Sequence, residues 1–158
     1  MLTLSQMLFR FAVALVLGAV LGVEREIVKK EAGVRTEMVV AGGAALFAMI
    51  GLALPFLAAA TIGGTPTVVE ATNSFAVIAN IVVGIGFLGA GIIIKMNDHP
   101  HGVTTAALVW LTAAIGVLVG IGLLQFATIA ALLVALLLFF LRKMSISERL
   151  EKESDELK

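Results

Sequence analysis

Apolar residues in this chain run on in blocks near 20 residues long, separated by short polar stretches. An α-helix needs about 20 such residues to cross the hydrocarbon core of a bilayer. Five blocks predict transmembrane helices over residues 4–23, 37–58, 74–94, 103–121 and 124–141. The last two share one apolar run, 103–141, that only Gly120, Gly122 and Gln125 interrupt. That run is too long for one span and suits a tight helical hairpin. The predicted fold is an all-α membrane protein, a bundle of five transmembrane helices over residues 1–144, followed by a short charged tail at 145–158. No internal repeat stands out.

The polar stretches between blocks set the orientation. Arg25, Lys29, Lys30 and Arg35 fill the first loop, Lys95 opens the third, and Arg142, Lys143, Arg149, Lys152 and Lys158 fill the tail. The second loop, 59–73, carries Gly63, Gly64, Pro66 and Glu70 but no Lys or Arg. The positive-inside rule then predicts the first and third loops and the tail in the cytoplasm, and the N-terminus outside. The first block resembles a signal-peptide core in length. No small-x-small cleavage site follows it, and Glu24-Arg25-Glu26 comes next, so it reads as a retained helix. The tail alternates acids and bases around Ile146, Leu150 and Leu157, and is expected to be a solvated, frayed end rather than an amphipathic surface helix.

Composition agrees with the pattern. The chain is 60% hydrophobic and 14% charged, against roughly 25% charged in a soluble domain. With no cysteine, disulfides, thiol nucleophiles and thiolate metal sites are excluded. No basic patch interleaves with aromatic residues, so no nucleic-acid partner is expected; membrane lipid is. No nucleophile–base pair, phosphate-cradling loop or paired carboxylates appear, so the chain is not expected to be an enzyme. Asp98, His99 and His101 fall short of a spaced metal-ligand set.

Small residues recur every four positions: Ala14, Gly18 and Gly22 in the first block, Thr112, Gly116 and Gly120 in the fourth. Such stripes let helix backbones approach closely. The third block holds Gly84, Gly86, Gly89 and Gly91, with Asn80 one turn before them. Each glycine sacrifices about 1 kcal/mol of helix propensity relative to alanine. Two explanations fit: tight helix crossing, or a broken helix whose freed carbonyls line an ion site. Asn80 needs a partner in the bundle, either as interhelical glue or as a ligand. Arg10 lies roughly 9 Å into its helix from the 1.5 Å rise; it either snorkels to the interface or pairs with a buried acid or carbonyl cluster.

The predicted cytoplasmic rim is the most charged place. Glu24, Arg25 and Glu26 end the first span, and Arg35 and Glu37 open the second. A salt-bridge network fixing the helical hairpin is one reading. The other is a cation gate or docking surface, in which oxygens of Glu24, Glu26 and Glu37 suit a hard cation such as magnesium.

These residues resemble the MgtC/SapB membrane family. The resemblance lies in GAVLGVERE at 18–26, AGVRT at 32–36, GGAALF at 42–47, IVVGIGFLGAG at 81–91, GVTTAA at 102–107, Trp110 and AAIG at 113–116. It covers about residues 10–122 in the family's order. It implies a multipass protein of a bacterial or archaeal plasma (inner) membrane, associated with magnesium homeostasis. One branch resembles a regulator that restrains the ATP synthase rather than a transporter. The matching polar positions are Glu24, Arg25, Glu26, Arg35, Thr36, Thr104 and Thr105. Ala76 stands where many members carry arginine, and Asn80 where glutamine is common. The soluble domain that longer members append is expected to be lacking. No cofactor is expected, with Mg2+ the candidate ion; a homodimer through a glycine-bearing face is expected, as is a membrane-protein partner in the regulatory reading.

Overall fold

The computed structural model describes residues 2–62, 68–96 and 99–156. Gly63, Gly64, Pro66 and Asp98, singled out in the sequence, lie outside them. The described chain runs α1 (Leu4–Ile27), α2 (Val34–Ile62), α3 (Val68–Ile92), β1 (Ile94–Met96), β2 (His99–His101), α4 (Val103–Ile121) and α5 (Leu124–Glu156). All five helices are long and apolar enough to cross a membrane. Large apolar side chains point outward from them, Phe87 being 86% exposed and Val83 73% exposed, as on the lipid-facing surface of a multipass membrane protein.

Helix ends explain where the expected boundaries moved. Thr3 and Gln6 form a reciprocal capping box at the start of α1. Glu26 Oε2 accepts from the backbone N–H of Val34 at 3.1 Å, satisfying one of the free donors at the start of α2. Capped there, α2 begins three residues before the predicted position, so Glu37 falls at the end of its first turn instead of opening it. A short antiparallel hairpin, with Ile94 opposite His101 and Met96 opposite His99, joins α3 to α4 where only a loop was expected. The backbone of α5 stays helical through Glu156, in place of the frayed end expected at the tail.

The core is built on α2, held between α1 and α4. A methyl group at Gly18 would collide with the Glu37 carbonyl and the Ala41 side chain, and one at Gly22 with the backbone of Val34. On the other side, Gly116 faces the backbone of Ala41, and a Cβ at Gly120 would come within 2.6 Å of the Ala45 carbonyl. The order of these partners makes α1 antiparallel and α4 parallel to α2. Ala41 is therefore gripped between two glycines on opposite helices. Around this crossing lie Ala14, Leu17, Leu21, Ala45, Ile115 and Val119, all buried. Burial of small residues gains little hydrophobic energy per side chain, so cohesion here comes from close backbone contact.

The far end of this core is closed by Arg10. Its Nη1 donates to the Gly120 carbonyl at 2.7 Å, and its guanidinium lies over Gly122. Gly122 ends α4 with φ 99°, a left-handed conformation that favours glycine. A cation at a helix C-terminus meets both the free carbonyls and the negative end of the dipole. Of the two readings of Arg10, pairing with a carbonyl, that of Gly120, is the observed one.

Candidate functional site

The end of the bundle that carries the α1–α2 loop and the hairpin gathers most of the described charged side chains. Arg25, in the last turn of α1, is buried and pairs with the half-buried Glu24. Glu26, exposed, turns away toward the start of α2. Arg35 is exposed and Thr36 half-buried. Glu37 behaves differently from all of these: it is 0% exposed, enclosed where α1, α2 and α4 meet. Among the described residues, neither of its carboxyl oxygens has a hydrogen-bond partner, and neither does the buried hydroxyl of Thr112. Thr112 lies against the Glu37 carboxyl without reaching hydrogen-bond geometry, and Arg25 is the charged side chain that acts on it.

Local packing explains the enclosure. Thr112 stands one turn before Gly116 on α4, as Glu37 stands one turn before Ala41 on α2. The parallel contact that presses Gly116 on Ala41 therefore presses Thr112 on Glu37. Gly18 closes the α1 side against the Glu37 backbone itself.

The rim network expected from the sequence is thus divided. Among the described residues no group of three or more His, Asp or Glu comes together to hold a metal ion. Glu24, Glu26 and Glu37, whose oxygens one of the two readings offered to a single cation, point to three different destinations: Arg25, the α2 N-terminus and the bundle interior.

A second cluster ties the first loop to α4. Thr105, buried, donates to Glu31 Oε2 at 3.3 Å. Thr104, beside it, is exposed. Backbone hydrogen bonding at Glu31, helped by Thr105 and by the nearby Lys30 and His101, holds its carboxyl below the usual carboxylate range. Because the folded value is depressed, this contact contributes stability at neutral pH and loses it as pH falls through the Glu31 titration. Thr105→Val is expected to flatten that acidic limb, checked by thermal denaturation of both proteins across acidic pH. Glu31 carried no signal in the sequence beyond being one more loop acid. Thr112 did carry one, as the first member of the small-residue stripe that includes Gly116.

Within the single chain, the third helix fits only part of what its glycines suggested. It is continuous through Ile92, so it is not broken. Among the described residues, a Cβ added at Gly84, Gly86 or Gly91 would meet no atom of another element within 4 Å, and one at Gly89 alone of the four would reach another helix, at Ala106. Asn80 is exposed in a groove of about 460 Å³ between α2 and α3, lined also by Gly43, Ala44, Phe47 and Gly84.

Comparison with known proteins bears on the whole of this arrangement. The model of the MgtC family matches residues 11–146. Protein MgtC of Brucella abortus is 40% identical over 121 residues, covering 77% of this chain and 45% of its own length. Protein MgtC of Salmonella typhimurium is 37% identical over 121 residues, covering 77% of this chain and 46% of its own length. Protein SrpB of Synechococcus elongatus is 37% identical over 136 residues, covering 77% of this chain and 66% of its own length. The chain spans about half to two thirds of the length of these relatives. No solved structure matches it. With a family match across the helices, the loops and both charged clusters, the chain belongs to the MgtC family.

Proposed function

We propose that this protein serves magnesium or small-cation homeostasis in a bacterial or archaeal plasma membrane, moving a cation such as Mg2+ by way of its charged end. In this reading that end faces the cytoplasm, in keeping with the basic loops. The observation that carries the proposal is the enclosed Glu37 beside the Arg25–Glu24 pair. Ionisable groups within membrane bundles are costly, and they mark ion paths and proton relays. Magnesium keeps several of its waters and binds through one or two carboxylates. Glu24 and Glu26 at the rim fit that demand without a three-ligand cage. The chemistry is carriage rather than catalysis. Reconstituted protein is expected to carry magnesium or another small cation into liposomes, and Glu24→Gln or Glu26→Gln to lower that flux.

A second reading is a non-transporting regulator of another membrane protein, such as the ATP synthase. The open groove between α2 and α3, where Asn80 and Gly84 lie exposed, favours it. A polar amide facing hydrocarbon gains from a partner, whether a second copy in a homodimer or a different protein. Crosslinking from a cysteine placed at residue 84 distinguishes the two: recovery of a defined second protein supports regulation, and recovery of the chain alone supports the homodimer.

A further inference from the structure

We propose that Glu37 is a proton-binding site inside the bundle, and that its proton decides whether Arg25 pairs with Glu24 or with Glu37.

The enclosure is complete, and among the described residues no group hydrogen-bonds either carboxyl oxygen. An ionised carboxylate in such a place costs several kcal/mol unless a countercharge meets it. The sole cation acting on it among the described residues is Arg25 from α1, and Arg25 is already paired with Glu24. From α4 comes only the hydroxyl of Thr112, which is itself buried and unpartnered. What neutralises Glu37 must also fit. One turn along, the space on either side of Ala41 does not admit a methyl group at Gly18 or Gly116. A hydrated magnesium ion is far larger than that. A proton needs no cavity, and a protonated carboxyl can give its O–H to Thr112 Oγ1 after a small rotation.

Removal of the proton has a defined consequence. The carboxyl O–H bond breaks and the proton passes to water at the charged end, about one helical turn away. The carboxylate left behind attracts the Arg25 guanidinium, which keeps its own protons and exchanges Glu24 for Glu37. Glu24 is then a free carboxylate at the rim, able to take a cation. Reprotonation of Glu37 reverses each step. Proton and cation thereby exclude one another through a single arginine. The proton site stands on the geometry of burial; only the consequence for a cation at Glu24 rests on the function proposed above.

Infrared spectroscopy of the whole chain in lipid bilayers tests this without any transport assay. At neutral pH the wild-type protein is expected to show a carboxylic-acid C=O band that shifts in heavy water and is lost in Glu37→Gln. Glu37→Asp should move the band rather than remove it, which keeps the assignment available if the glutamine variant fails to fold. Glu24→Gln releases Arg25 toward residue 37, so it should weaken the band at the same pH. A wild-type spectrum with no acid band would overturn the proton site, as would a band indifferent to both changes at residue 37. A band that depends on residue 37 but ignores Glu24→Gln would overturn the arginine exchange. Either failure leaves cation carriage by Glu24 and Glu26 to be judged by flux alone.

Discussion

Gly116→Leu is expected to abolish the folded bundle. Leucine at this position meets the backbone of Ala41, and backbone cannot turn aside as a flexible side chain can. Overpacking a close-fitting core costs about 1–3 kcal/mol, occasionally more, and here the two helices would have to separate along their shared contact. Separation also exposes Thr112 and Glu37, so the polar junction is lost with the packing. Gly84→Leu supplies the comparison, since among the described residues a Cβ there meets no other element within 4 Å. Size-exclusion profiles and thermal unfolding in detergent check the pair. Gly116→Leu should aggregate or unfold well below the wild type, while Gly84→Leu should retain the fold of the single chain. Comparable losses in both would mean that the gripping of Ala41 does not hold the bundle together.

Arg10→Ala is the second large effect. The substitution takes away a charged donor to the Gly120 carbonyl and the cation over Gly122. A hydrogen bond to a charged group contributes about 1.5–3 kcal/mol, and an unpaired carbonyl away from water costs a similar amount. The same end of α4 meets Ala45 and Ala48 through Gly120, so loosening it should spread into the α2–α4 contact. We expect a fall in thermal midpoint of about 5–10 °C, taking about 2–4 °C per kcal/mol for a chain of this size. Arg10→Lys should recover part of it, because lysine supplies the charge without the fork that reaches two sites. An unchanged midpoint in Arg10→Ala would show that the arginine serves the lipid interface alone.

The five spans were legible because hydrocarbon demands apolar residues at nearly every position of a crossing helix, and that demand is written in the sequence directly. The small-residue stripes were legible for a related reason, since glycine inside a helix needs some compensation. Which stripes are used inside the chain was not. Gly18 and Gly116 face one alanine from two sides, while Gly84, Gly86 and Gly91 face open space. The sequences of the helices look alike in this respect, and only the mutual arrangement of α1, α2 and α4 separates them. The candidate site shows the same division. Glu24, Arg25, Glu26 and Glu37 were all recognisable as charges near span ends. Their division into an ion pair, a helix cap and an enclosed acid depended on Glu26 capping α2 at Val34 and on Glu37 facing the bundle interior from the first turn. Arg10 had two destinations open to it, and the end of α4 decided between them.

The most direct test of the functional account is magnesium uptake into proteoliposomes loaded with a magnesium-sensitive dye. The protein should be shown to be folded in the same vesicles, and other small cations offered in parallel. Uptake above that of protein-free vesicles is expected, reduced in Glu24→Gln and Glu26→Gln variants that fold as the wild type does. Folded wild-type protein that carries none of the ions offered would contradict it.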